Sequence, residues 1–252
     1  MTFYELYKTL CESYPEELRC EWDNDGIMCS DCLDREVKRV LVSLDVTEAT
    51  VNFACENGYD TIISHHPLVF RSQKALTPLS YTQNKLITLI KNGGGVMSFH
   101  TRLDAAKGGV NDVLSSLLGL KNVFVDPTDE IGRIGYLEKE IEICEFAKDV
   151  KAALSCPFVL YSGNKIVSKV YVVGGDGKAL IENAIANGCD TIVTGRASYN
   201  TAVDACDMGI NIVEAGHFYT ENPVCTALAE KIKSIDNNIE IDIFNSNAIN
   251  CI

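Results

Sequence analysis

The chain has 252 residues, 22 Lys+Arg against 35 Asp+Glu for a formal net charge of −13, and 46% apolar residues, with only 4 His but 11 Cys. This is the composition of a globular protein, long enough for one large or two smaller domains, and it excludes a disordered or fibrous chain. The acidic balance repels polyphosphate backbones and anionic lipid surfaces, and no basic patch reverses it locally, so nucleic acid and membrane are not expected partners.

Residues 1–8 lack a basic segment followed by an apolar one, so no secretory signal is expected, and no run reaches membrane-spanning length. An odd number of Cys without a repeating frame points to unbridged thiols and a cytoplasmic protein. Cys29-Ser30-Asp31-Cys32 forms a C-x-x-C pair, but neither a second pair nor a strand-helix redox frame accompanies it, so ordinary thiols are expected.

In chain order, β-branched runs alternate with helical stretches, the pattern of an α/β fold built on a largely parallel sheet. A strand is predicted over 37–44, a helix over 47–57 with Ala49, Val51, Phe53 and Ala54 as apolar positions, and a strand over 61–64, with Gly58 ending the helix. A helix over 79–92, a buried strand over 95–99 and a helix over 110–118 closed by Gly119 follow. Segment 126–160 mixes charge with short apolar runs and reads as a compact junction, and 240–244 alternates like a half-buried edge strand.

Sliding the chain by 130 positions aligns 37–64 with 167–194 at 10 identities, including Asn57-Gly58 with Asn187-Gly188 and Asp60-Thr61-Ile62 with Asp190-Thr191-Ile192. Helix-ending Gly and β-branched strands recur in unrelated units, but they do not account for the shared N-G-x-D-T-I string. We therefore expect two similar α/β lobes facing each other, arising by internal duplication. The first lobe would span 1–125 and the second 126–216; a C-terminal segment, 217–252, would carry metal ligands and pack back on the first lobe.

All four His follow predicted strands: Ser64-His65-His66-Pro67, His100-Thr101-Arg102-Leu103-Asp104, and His217-Phe218-Tyr219-Thr220-Glu221. Ligands bind at the carboxyl ends of strands in open α/β sheets, so these loops are expected to converge. Adjacent His65 and His66 should point in different directions, which suits two ions better than one. His100/Asp104 and His217/Glu221 share a four-residue spacing that brings imidazole and carboxylate to one side of a turn. A carboxylate bridging two divalent ions about 3.5–4 Å apart is the usual hydrolytic two-metal design. Mixed imidazole and carboxylate ligands suit Zn, Mn, Fe or Ni without choosing among them.

The S-H-H-P-L loop from Ser64, the H-T-x-x-D-x-x-x-G-G-x-N-D stretch from His100, the G-H-x-x-T-E string from Gly216 and Glu21-Trp22-Asp23-Asn24 resemble the YbgI/NIF-three-like dinuclear metal proteins, many of which carry the label GTP cyclohydrolase I type 2 homologue. The resemblance implies two α/β lobes with the site between them and a ring-shaped homohexamer, here in the short form without an inserted domain. It implies His65, His66, Asp104, His217 and Glu221 as ligands of two divalent ions, with Glu221 bridging. His100 would be a nearby ligand or outer group, and we assign it catalytic proton transfer. The function implied is metal-dependent hydrolysis of a small, nucleotide-like molecule; the alternative is a non-catalytic metal-handling or regulatory binding protein.

One segment departs from the pattern. Where relatives carry T-G-E followed by one or two His, this chain reads Thr194-Gly195-Arg196-Ala197-Ser198-Tyr199-Asn200, which removes any substrate or proton-transfer role those groups serve. Gly108-Gly109 before the 110–118 helix is weak evidence for a phosphate contact, and Gly174-Gly175-Asp176-Gly177 reads as a tight turn. Trp22-Asp23-Asn24 reads as a turn with a packed indole, or, as the resemblance implies, as lying at the site mouth. Asp45 is expected either to position water or to cap the following helix.

Overall fold

A computed structural model describes residues 1–250. In chain order the elements are α1 (Phe3–Ser13), β1 (Gly26–Cys29), β2 (Arg39–Ser43), α2 (Glu48–Glu56), β3 (Thr61–Ser64), α3 (Tyr81–Lys91), β4 (Gly95–Ser98), α4 (Thr101–Ala105), α5 (Val110–Leu117), β5 (Lys121–Val125), β6 (Arg133–Glu142), α6 (Ile143–Ala153), β7 (Leu160–Ser162), β8 (Ile166–Asp176), α7 (Ile181–Ala186), β9 (Thr191–Arg196), α8 (Tyr199–Met208), β10 (Asn211–Glu214), α9 (His217–Glu221), α10 (Val224–Ile235) and β11 (Glu240–Phe244). Two compact units result, one of Met1–Ala106 with Cys225–Ala248, the other of Lys107–Val224 with Ile249 and Asn250.

The first unit holds a five-stranded sheet of order β1-β4-β3-β2-β11, in which β4, β3, β2 and β11 are parallel and β1 is antiparallel. One face carries Leu41, Ile62 and Val96, packed with Val51 and Ala54 of α2 and Leu86 and Leu89 of α3. Thr2 starts α1 with a capping box to Glu5, and Thr47 starts α2 with one to Thr50. The tail strand lies at the sheet edge, as its alternation implies.

The second unit holds a six-stranded sheet of order β5-β6-β8-β9-β10-β7. Only β8, β9 and β10 are parallel; β5, β6 and β7 pair antiparallel, so this sheet is mixed and not largely parallel. Alternation divides its residues between two cores. Val170, Val172, Val193 and Val213 pack with Phe146 and Val150 of α6, whereas Tyr171, Val173, Ile192 and Ile212 pack with Ile181 and Ala184 of α7 and Ala205 of α8.

The unit boundaries differ from those expected at 125/126 and 216/217. Residues 107–125 group with the second unit, because β5 completes its sheet against β6. Segment 126–160 is no junction: β6 pairs with β8, and α6 covers one face of the sheet. Residues 217–224 also belong to the second unit, and the return to the first begins at Cys225.

The 130-residue offset reappears in hydrogen-bonded detail. β2 and β3 pair Val40 with Thr61 through Ser43 with Ser64, and β8 and β9 pair Val170 with Thr191 through Val173 with Thr194. Asp60 Oδ2 accepts from the amides of Lys38 and Arg39 at 2.7 and 2.8 Å, and Asp190 Oδ2 from those of Ser168 and Lys169 at 3.0 and 2.8 Å. Gly58 and Gly188 both turn the chain out of a helix at φ +68°, a conformation costly for other residues.

Among the described residues no cysteine is disulfide-bonded, and no helix is long and apolar enough to cross a membrane. Burial in β1 pushes the Cys29 thiol up to about 11, which leaves little thiolate for redox chemistry.

Candidate metal centre

In the first unit, three imidazoles meet beyond the carboxyl ends of the parallel strands. His65 and His66 follow β3, and His100 follows β4 and precedes α4. Their ring centroids are 4.9 to 5.6 Å apart, and one ring nitrogen from each lies within 4.8 Å of those of the others. His65 and His66 therefore do not diverge as neighbouring strand residues would. β3 ends at Ser64, and the chain bends there: Ser64 Oγ donates to the carbonyl of His66 at 2.8 Å, while the amides of His65 and His66 donate to the carbonyls of Ser43 and Leu44 beyond β2.

Each of these rings uses Nδ1 in the same way. His65 Nδ1 donates to the Phe99 carbonyl at 2.9 Å, His66 Nδ1 to Asp45 Oδ1 at 2.8 Å, and His100 Nδ1 to Asp23 Oδ1 at 2.8 Å. A carbonyl or carboxylate oxygen only accepts, so the proton sits on Nδ1 and Nε2 carries the lone pair, the arrangement of a metal-binding His oriented by an outer acceptor. Asp104, one turn along α4 from His100, places Oδ1 3.5 Å from Nε2 of His65.

Burial alone would raise the Asp23 carboxyl, but hydrogen bonds from His100 and from the Thr101 hydroxyl and amide outweigh it and hold Asp23 well below the usual carboxylate range. Asp25, also buried, accepts from the His100 amide at 3.2 Å and from Arg102 Nε at 2.8 Å. Arg102 is wholly buried, with its guanidinium over the Phe99 ring.

In the second unit, α9 begins just after β10 and presents His217 and Glu221 on one side, with His217 Nε2 2.8 Å from Glu221 Oε2. The four-residue spacing is thus realised as one helical turn. Glu221 is buried and His217 half exposed. A Cβ on Gly175, at φ +67°, would collide with Glu221 Oε1 and stand 3.3 Å from His217 Cε1. The glycine loop after Val173 is the cradle of α9. Gly195 serves the same end, since a Cβ there would come within 2.6 Å of Thr220 Oγ1 and 2.8 Å of His217 Cα. Arg196 ends β9 exposed, and Tyr199 opens α8 exposed.

Clusters of His, Asp and Glu able to hold metal ions are present, and together they use His65, His66, His100, Asp104, His217 and Glu221. Imidazole nitrogens mixed with carboxylate oxygens form a donor set suited to divalent transition metals.

Two sequence expectations are corrected here. Asp45 is not the helix cap, which is Thr47; it orients His66. The Gly108-Gly109 turn faces a carboxylate, with the Gly108 amide donating to Asp112 Oδ2 at 2.7 Å, so it is a structural turn and not an anion site. Asn111 likewise ties α5 to the second unit's glycine loop, its Oδ1 accepting from the Gly174 amide at 2.8 Å. The orienting roles of Asp23 and Asp45 were not foreseen; their only sequence signal is an Asp after a strand or in a turn, which is commonplace.

The chain matches the family model described as Duf34/NIF3 (NGG1p interacting factor 3) over residues 1–251. A Clostridium perfringens protein named GTP cyclohydrolase 1 type 2 homolog is 36% identical over 249 residues, covering 95% of each chain. A Clostridium acetobutylicum protein of the same name is 32% identical over 228 residues, covering 87% of this chain and 85% of the relative. Among solved structures, a Bacillus cereus protein related to NIF3 superposes with a TM-score of 0.92 over 100% of this chain and 99% of its own, at 24% identity, a likeness of fold. Reduced HcgD from Methanocaldococcus jannaschii superposes with a TM-score of 0.85 at 27% identity, over 96% of this chain and 97% of its own. The resemblance read from the histidine motifs therefore holds along the whole chain, which belongs to the Duf34/NIF3 family.

Proposed function

We propose that the protein is a dinuclear metal-dependent hydrolase of a small, nucleotide-like molecule. The observation that carries this reading is that Nδ1 of His65, His66 and His100 each meets a fixed acceptor oxygen at 2.8 to 2.9 Å, which leaves Nε2 as the ligating atom. His65, His66, Asp104, His217 and Glu221 are the proposed ligands, with Glu221 as the bridging carboxylate. Bound divalent ions would supply Lewis acidity toward a substrate oxygen and toward water.

The remaining work falls to side chains. His100 accepts and returns a proton at Nε2, and Asp23 steadies the imidazolium formed when it does. Gly175 leaves room for Glu221, so the carboxylate is buried yet positioned. The relatives' name, GTP cyclohydrolase 1 type 2 homolog, supports a nucleotide-like substrate. Arg196 and Tyr199, in place of the acid and imidazole of the family pattern, favour a second reading in which the site handles metal without turnover.

Elemental analysis of the purified chain tests the metal assignment, with up to two Zn, Mn, Fe or Ni ions expected per chain and fewer in His66→Ala and Glu221→Ala. A chain that binds none when offered all four metals overturns it. Hydrolysis of a nucleotide, phosphoester or cyclic amide by the loaded protein, lost in those variants, supports the enzyme; tight, exchangeable metal without turnover supports the carrier.

Internal duplication is proposed from the repeated register and the paired roles of Asp60 and Asp190. A cytoplasmic location is supported by the unbridged thiols. Assembly into a homohexamer is proposed from the family resemblance alone, and light scattering checks it against six times the chain mass.

A further inference from the structure

The turn before β1 exposes an indole beside the imidazole cluster of the first unit. Trp22, the only tryptophan in the chain, is 64% exposed. Its ring centroid is 6.2 Å from those of both Phe70 and His100, at interplanar angles of 64° and 80°, and Phe70 and His100 are themselves 6.2 Å apart at 88°. Edge-to-face contacts of this kind fix a ring while covering little of it. Phe70 is itself 48% exposed.

The backbone beneath these rings is tightly tied. Asp23 accepts from Thr101 N, Thr101 Oγ1 and His100 Nδ1, the Cys20 amide donates to Thr101 Oγ1 at 3.0 Å, and Asn24 Nδ2 donates to the carbonyl of Val69, next to Phe70. Leaving a large aromatic side chain in water forgoes the stabilisation its burial would bring. An exposed indole on an ordered turn is thus a preorganised contact surface, with the entropy of holding it already spent. His100 belongs to both the aromatic group and the imidazole cluster, which puts the indole within 6.2 Å of the proposed proton carrier.

We propose that Trp22, braced by Phe70, is the stacking platform for a planar heteroaromatic ring of the substrate. This rests on the hydrolase reading above and adds the class of group recognised. The net charge of −13 gives polyanions no long-range attraction, so the ring's π-face, and not a phosphate, is what this surface selects.

The single tryptophan makes the test direct. Emission of the full-length protein, excited at 295 nm, is followed while adenosine or nicotinamide is added, with ribose as the non-aromatic control, before and after chelator treatment. Saturable quenching by adenosine or nicotinamide and none by ribose is expected. Phe70→Ala should weaken the apparent affinity at least about 5-fold, and Trp22→Leu should weaken binding measured by calorimetry by at least that factor, the low end of base–aromatic stacking. Circular dichroism checks that both variants are folded. Absence of saturable quenching, equal quenching by ribose, or unchanged binding in Trp22→Leu overturns the platform, and would leave the indole as a protein-contact surface. Quenching that survives in a chain shown to bind no metal would overturn the metal reading alone, and a fully loaded chain without quenching would overturn the platform alone.

Discussion

Asp45 accepts the Nδ1 proton of His66 at 2.8 Å, and that bond leaves the lone pair on Nε2, the atom proposed to bind metal. Removing such an outer acceptor typically costs about 10–100-fold in metal affinity, and Asp45 is over a third exposed. Asp45→Ala should therefore weaken metal binding by about that factor, measured by chelator competition, while the melting temperature without metal stays within a few degrees. Gly175→Ala should disturb the His217–Glu221 pair within the second unit. Its Cβ would demand the space of Glu221 Oε1 at a backbone φ of +67°, so we expect lost metal stoichiometry by elemental analysis and a less stable chain. Arg102 sets a contrasting case, since it contacts none of the proposed ligands through its side chain. It pairs with buried Asp25, donates to the Tyr14 carbonyl at 3.1 Å, and its partner Asp25 holds the His100 amide. Arg102→Met takes from buried Asp25 its closest cation and leaves it the His100 amide and Arg19 Nη1 at 3.6 Å; breaking a buried pair costs about 3–5 kcal/mol, so a clear loss in urea midpoint is expected. The histidines themselves were legible because there are four and all follow strands. Their acceptors were not, because the Phe99 carbonyl and the carboxylates of Asp23 and Asp45 acquire their roles only when the chain bends after β3 and β4.

At the scale of elements, the strand-helix-strand rhythm was legible because β-branched runs, capping threonines and helix-ending glycines are local signals. β2, α2, β3, β4 and α5 lie within two residues of their predicted ends. The misreadings were non-local: whether β6 joins β8 antiparallel, and which unit β5 completes, depends on pairing across the chain and not on periodicity. The repeat sharpens this. Asp60 and Asp190 look like ordinary loop acids, yet each accepts two strand amides at the start of a parallel pair. Deleting the acceptor leaves those amides to find new partners at a cost of about 1–3 kcal/mol. Asp60→Ala and Asp190→Ala should thus destabilise their own units by similar amounts in urea denaturation. A large effect from one and none from the other would contradict the equivalence of the two motifs.

For the whole molecule, two charge effects compete as pH falls. A net charge of −13 means self-repulsion, which eases as exposed carboxylates begin to take up protons, so stability should hold or rise slightly from pH 7 toward 5. Asp126 acts in the opposite sense. It is fully buried, which alone would raise its pKa. The Thr128 amide at 2.9 Å, the Tyr171 hydroxyl at 2.8 Å and the side chains of Asn187 and Asn183 outweigh burial and depress it. A carboxyl whose native pKa lies below its unfolded value of about 3.9 lends its stabilisation fully above that value and loses it as pH falls through the native one. Stability of the second unit should therefore drop below about pH 4, after the relief of repulsion has run its course. Asp126→Asn separates the two effects. The neutral amide cannot accept as strongly from Thr128 and Tyr171, so the variant should be less stable at pH 7, while its decline from pH 4 to 2 should be shallower than in the parent. Urea midpoints measured with chelator present at pH 7, 5, 4, 3 and 2 would show it, and an equally steep acid limb in both proteins would mean that other carboxylates govern acid unfolding.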